Sequence, residues 1–465
     1  MEELLGLDAT SFAALIWQKA VSPAEVMAAT LARIGEVNGA VNAVVSLRDP
    51  DDLMAEARAA ERAPRKGWLH GIPLAVKDLA DAQGLPTTQG STLFARQIAQ
   101  ADDVAIARLR AAGAIIIGKT NVPEFGLGSH TFNPVFGATR NPRDLGRSAG
   151  GSSGGAAAAL ATGMVAVADG SDMMGSLRNP AAWNGVYGMR PTWALVPPEP
   201  EGEMFLHQLS TLGPMARTPR DLGALLDVMA GTEARHPHGR GAFRMGVLRP
   251  AGRRRIGWLG DWGGAYPMEA GVLAAAEAAV RRLEALGHVV DAVAPPFDAG
   301  RLWESWTTLR SWAVAGSLGA LDMEALKPEA RWEVARGMAF SAAEVQRASV
   351  VRSEWFRAAA RMFETHDALV LPAAQVRPFP VEWRWPEEIA GQRMDTYHRW
   401  MEVVVPVSLI GLPCVALPAG TERGLPHGLQ LFGPRGADLA LLEIAEGWEE
   451  ARPPAEKRLV TPRLT

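Results

Sequence analysis

The chain has 465 residues, with 47 Lys and Arg against 51 Asp and Glu and a formal net charge of -4. That balance leaves no basic footprint for nucleic acid and no cationic patch for a membrane surface, and the length suits one large α/β domain with appendages. The single cysteine, Cys414, excludes an intramolecular disulfide framework and fits a reducing cytoplasm; its apolar setting, "GLPCVALPAG", reads as a buried packing thiol.

In chain order, "MEELLGLDATSFAALIWQKA" reads as one amphipathic helix without the basic n-region and cleavage pattern of a signal peptide. No apolar run reaches the ~18 residues of a membrane span. In "SPAEVMAATLARIGEV", Ser22 is an N-cap, Pro23 takes the first helical position and Glu25 completes a capping box, with Met27, Leu31 and Ile34 on one face. "GIPLAVKD" predicts a buried strand carrying Lys77 and Asp78 at its C-terminal end. A helix over 104–112, the strand "AIIIG" and a Gly/Asn/Pro-rich loop over 119–141 follow. After "GGSSGG", the alanines at 156–161 form a helix with the serine pair at its N-terminus, and "MVAVAD" is the next strand. Residues 231–243 read as a polar surface connection. Beyond them come a strand-helix-strand unit and a Trp-rich helical layer from about 301 to 365. Strands in "DALVLPA", "PCVALPAG" and "GLQLFG" and a helix near 439–448 close the chain. Such alternation predicts an α/β layer architecture.

The chemistry is concentrated in few residues. "GGSSGG" matches G-x-S-x-G, but that elbow needs a strand immediately before its serine, and "RNPRDLGRSA" is a poor strand. The spacing of a P-loop is absent, and none of the six lysines has a serine three residues before it, which excludes the Ser-x-x-Lys pair. His236 and His238 form an isolated H-x-H in what reads as solvated loop; without H-E-x-x-H or further cysteines, no metal is expected. Lys77 is the remaining candidate base. A lysine at a strand end can simply pair with Asp78 or another carboxylate. Used as a base it must be neutral near pH 7, which burial can achieve.

Taken together, "GIPLAVKD", "GLPTTQGS", "GKTNVPEFG", "GGSSGG", "GSDMMGSLRNPAAWNGVYGMRPT", "GLPCVALPAG" and "GLPHGLQLFG" resemble the amidase signature family, in order from about residue 70 to 435. The resemblance implies a central mixed β-sheet covered by helices on both faces. It divides a single domain into an N-terminal helical segment (1–65), a signature core (66–230), a covering region (244–365) and C-terminal strands and helix (366–465). It also implies a Ser, cis-Ser, Lys triad with Ser176 as nucleophile and Ser152 passing its proton to Lys77. Backbone N–H groups of Met173, Met174, Gly175 and Ser176 would form the oxyanion hole, and Gly126, Leu127 and Gly128 would line the acyl site. Ser153, Ser171, Asp172 and Arg178 would support the loops.

The implied reaction is hydrolysis of a small-molecule carboxamide to an acid plus ammonia or an amine, without metal or organic cofactor, nucleic acid or membrane. A glutaminase component of an amidotransferase and a non-catalytic relative are the alternatives, and a homodimer is left open. This sequence departs from the common pattern at Met174, where glycine is usual, and at "LRNPAAWNG", which puts the shape of the acyl pocket in question.

Overall fold

The structure, a computed structural model, describes residues 2–463. Its centre is an eight-stranded mixed sheet in the order Val289–Ala292, Arg255–Trp258, Ala368–Pro372, Leu425–Phe432, Cys414–Glu422, Tyr187–Arg190, Thr211–Ala216, Val167–Asp172. The first three strands run parallel to one another and every later pairing is antiparallel. A smaller sheet of Val44–Val45, Ile115–Thr120 and Pro73–Lys77 lies at the Val167–Asp172 edge. The two sheets meet where Lys77 N donates to Asp169 Oδ1 at 2.9 Å.

The strands are apolar on both faces because both are covered. Ala368 and Val370 point into one core with Leu225, Leu283 and Trp448, while Leu369 and Leu371 point into another with Trp262, Trp306, Trp355 and Trp400, the alternation a strand imposes. That second core is roofed by the helices Ala299–Leu318 and Ala342–Met362, with Pro328–Ala339 packed on the first of them through Ala330 and Val334, the Trp-rich layer expected from sequence. The capping box at Ser22 and Glu25 is formed, opening the helix Pro23–Val41.

Several boundaries differ from the sequence reading. The N-terminal segment is two helices, Glu2–Gly6 and Ala9–Trp17, because Asp8 caps the second by accepting from Ser11 N. The strand expected at "MVAVAD" begins at Val167 and runs on to Asp172, held by a six-residue ladder with Thr211–Ala216 that local composition does not reveal. Lys119 and Thr120 belong to the Ile115–Thr120 strand, not to the loop. Asp144–Ser148 is a strand after all, paired with Arg140–Asn141 outside the central sheet. The histidine pair is less solvated than expected: His236 is buried, and His238 packs its ring 5.3 Å from Trp193.

The helix Arg178–Asn184 lies close against the sheet because Gly188 offers no side chain. A Cβ there would fall 2.1 Å from Leu177 O, directly beyond Ser176. Gly188→Ala is therefore expected to destabilise the fold by about 1–3 kcal/mol, read as a lowered urea midpoint with unchanged slope.

Candidate active site

Three elements converge on one buried amine. The Pro73–Lys77 strand ends at Lys77; the loop 149–153 enters the helix Gly154–Thr162; and residues 173–177 join the Val167–Asp172 strand to the helix Arg178–Asn184. Lys77, Ser152 and Ser153 are buried, and Ser176 is only 6% exposed. Lys77 Nζ lies 2.8 Å from Ser152 Oγ, 2.8 Å from Ser153 Oγ, 2.9 Å from Ser171 Oγ and 3.2 Å from Ser171 O. The Gly151–Ser152 peptide bond is cis. Ser176 joins the cluster through its backbone, its carbonyl accepting from Ser153 N at 3.3 Å. Ser153 and Ser171, expected to steady the loops, thus touch the lysine itself.

Asp78 is not the partner of Lys77. Its carboxylate accepts from Thr88 N at 3.1 Å and from Thr88 Oγ1, and it lies 3.8 Å from Lys119 Nζ. Burial lowers the Lys77 ammonium to about 7, and Asp169 and Asp172 pull back against it. Asp172 is itself paired with two guanidinium groups. Arg178 binds it bidentately, Nε to Oδ2 and Nη2 to Oδ1 at 3.0 Å each, and Arg190 Nη1 lies 3.2 Å from Oδ1. Burial alone would raise the Asp172 carboxyl, but Arg178 and Arg190 hold it well below the ordinary carboxylate range.

The same carboxylate fixes the loop carrying Ser176. Gly175 N donates to Asp172 Oδ1 at 2.8 Å and Leu177 N to Oδ2 at 3.2 Å. Of the four N–H groups expected to face an oxyanion, that of Gly175 is therefore engaged elsewhere, because the carboxylate lies beneath its peptide. Those of Met173, Met174 and Ser176 have no acceptor among the described residues. The positive φ of this loop falls on Gly175 (+81°), and Met174 takes an ordinary backbone conformation. The Met174 side chain is buried against Trp306, whose Nε1 lies 3.2 Å from its sulfur.

Gly126 closes the short turn Glu124–Gly126 beside Ser152: a Cβ on it would stand 3.6 Å from Ser152 Oγ and 2.8 Å from Leu79 Cδ1. Leu127 packs on Val314, Leu318 and Ala330, and its carbonyl accepts from Lys327 Nζ at 2.8 Å. Gly128 faces the ring of Tyr397, whose hydroxyl lies between Arg310 Nη2 at 2.7 Å and Glu333 Oε1 at 2.9 Å. Sequence reasoning missed Arg190, although it stands in the quoted "GMRPT". It also missed Lys119, a second buried lysine, which takes Asp78 as its neighbour.

The Amidase family profile matches residues 25–442. The chain belongs to the amidase signature family. This amidase is 32% identical over 474 residues to an acylamidase of Rhodococcus erythropolis, covering 98% of both chains. It is 35% identical over 461 residues to the A subunit of the glutamyl-tRNA(Gln) amidotransferase of Thermus thermophilus, covering 93% of this chain and 94% of that one. A bacterial aryl acylamidase of the same family superposes with a TM-score of 0.91 at 26% identity, covering 99% of each chain. Among the described residues, no helix is long and apolar enough to cross a membrane.

Removing the carboxylate between two buried arginines strands their charges. Asp172→Asn in this amidase is expected to cost about 3–5 kcal/mol, measured by chemical denaturation.

Proposed function

We propose that Ser176 is the nucleophile of this amidase, Ser152 the proton carrier and Lys77 the base. The observation that carries the reading is the Lys77 amine. It is buried, brought by burial to about 7 and hydrogen-bonded to Ser152. A neutral amine has a lone pair to receive a proton, and a hydroxyl donates and accepts at once, so Ser152 suits a relay.

In acylation the Ser176 oxygen bonds to the amide carbonyl carbon as its proton passes to Ser152 and that of Ser152 to Lys77. The carbonyl oxygen becomes an oxyanion, for which the N–H groups of Met173, Met174 and Ser176 are the available donors. Collapse of the intermediate breaks the C–N bond, and the leaving nitrogen takes the proton back through Ser152. Water then attacks the acyl-enzyme, the relay again removing and returning one proton, and the acid leaves. Loss of one oxyanion donor would cost about 3 kcal/mol of transition-state stabilisation.

The substrate class is a carboxamide with an apolar acyl group. Met174, Trp183, Trp306 and Trp400 form one buried cluster beside the nucleophile loop, and the Arg310 guanidinium is bound by Glu333 at 2.6 Å and by Tyr397. Likeness to an acylamidase over nearly the whole chain supports an amide substrate. Glutamine hydrolysis is the second reading, carried by the likeness to the amidotransferase component. A panel of apolar, aromatic and amino-acid amides, glutamine included, separates the two by ammonia release from the purified chain. Turnover of apolar amides above glutamine supports an amidase acting alone, whereas glutamine as the best substrate reverses the order.

Two further outcomes are expected. Because the Lys77 value is lowered from 10.5 to about 7, the base is protonated and idle in acid and neutral above that value. kcat/KM should therefore rise with pH along a limb centred near 7, read from a pH profile. Lys77→Arg, which keeps its proton at every working pH, should lower kcat by about 10²–10⁴-fold, with Ser176→Ala at background in the same assay.

A further inference from the structure

We infer that His130 and Ser148 are positioning residues for the loop that carries Ser152, acting through a chain of hydrogen bonds with one fixed proton order. The inference rests on the relay role of Ser152 proposed above. His130 is buried, its ring centroid 4.8 Å from that of Phe132 and 5.3 Å from that of Phe379. Its Nε2 lies 3.0 Å from Val381 O and its Nδ1 2.7 Å from Ser148 Oγ.

A carbonyl oxygen only accepts, so Nε2 carries the proton. In a neutral imidazole, Nδ1 is then an acceptor. Ser148 must donate its hydroxyl proton to Nδ1, which turns the oxygen lone pairs toward Gly150 N, 3.0 Å away. The order is fixed from end to end: Gly150 N–H to Ser148, Ser148 O–H to His130, His130 N–H to Val381 O. Burial lowers His130 to about 4, so the imidazole is neutral wherever Lys77 is.

The residues beside His130 hold the same loop. Thr131 Oγ1 donates to Gly150 O at 2.8 Å, and Ser129 Oγ donates to Gly151 O at 2.9 Å. The far end is anchored as well. Ser148 N donates to Phe379 O and Val381 N to Gly146 O, each at 2.9 Å, so the 379–381 segment grips both Ser148 and His130. Gly150 and Gly151 are thereby fixed from one side while Ser152 meets Lys77 on the other. A shift of the serine hydroxyl by a fraction of its hydrogen-bond length would loosen proton transfer while leaving the acyl site in place.

Two amides each replace half of the imidazole. In His130→Asn the side-chain oxygen can stand for Nδ1 and accept from Ser148; in His130→Gln the NH₂ can stand for Nε2 and donate to Val381 O. The experiment measures kcat and KM on the best amide of the panel for Ser148→Ala, His130→Gln, His130→Asn and Ser152→Ala, with the folded fraction fixed by near-UV circular dichroism. Ser148→Ala and His130→Gln are expected to lose roughly ten- to a hundredfold in kcat at nearly constant KM, with His130→Asn recovering most of the loss. Wild-type kcat in Ser148→Ala and His130→Gln, with Ser152→Ala inactive, would overturn the inference and leave the relay standing. Equal losses in the Asn and Gln variants would make His130 a packing residue and overturn it too. An active Ser152→Ala would remove the relay itself.

Discussion

The proposed chemistry needs one uncharged amine inside the protein, and the surroundings of Lys77 suit that requirement. Bringing a lysine from 10.5 to about 7 is worth roughly 5 kcal/mol of discrimination against its charged form. Burial supplies this only if no free carboxylate supplies the charge's partner. The site contains two nearby carboxylates, Asp169 and Asp172, which pull the value back upward, but neither pairs directly with the amine. Asp169 accepts from the Lys77 backbone, and Asp172 is locked between Arg178 and Arg190. What faces the amine is a ring of hydroxyls from Ser152, Ser153 and Ser171, groups that solvate either protonation state without fixing one.

The Asp172 pairing has a second effect that connects electrostatics to geometry. Its two oxygens serve the arginines and also take the N–H groups of Gly175 and Leu177, so one buried ion cluster shapes the turn on which Ser176 sits. The arginines extend the constraint outward: Arg178 reaches Gln430 Oε1 and Ser408 Oγ, and Arg190 reaches Leu209 O. Through Arg178 the loop carrying Ser176 is thereby tied to residues more than two hundred positions away in sequence. A buried charge cluster of this kind contributes little net stability when intact but is costly to break, which suits a part whose task is to hold a position.

Much of this was legible in the residues. The capping box at Ser22, the strand ending at Lys77, the glycine-serine loop and the existence of the C-terminal strands all rest on local composition, and local composition predicts them. What was not legible depends on contacts made at a distance. The extension of the strand to Asp172 comes from its ladder with Thr211–Ala216, and the strand at Asp144–Ser148 from pairing outside the central sheet. The engagement of the Gly175 N–H came from a carboxylate three residues upstream that could equally have faced solvent. Met174 is accommodated where glycine is usual because the left-handed residue is its neighbour, Gly175. Nothing in the sequence marks His130: the H-x-H spacing singles out 236 and 238, while a lone buried histidine carries no spacing signal at all.

In the proposed mechanism chemistry passes through an acyl group on Ser176, whose proton a neutral Lys77 takes by way of Ser152. Its most direct test mixes the protein with an amide or ester substrate, quenches in acid within the first turnover and locates any added acyl mass by peptide mass spectrometry. The acyl mass is expected on the peptide containing Ser176, appearing faster as pH rises through 7. An acyl group on a different residue, or full turnover with no acyl adduct at any time, would contradict it.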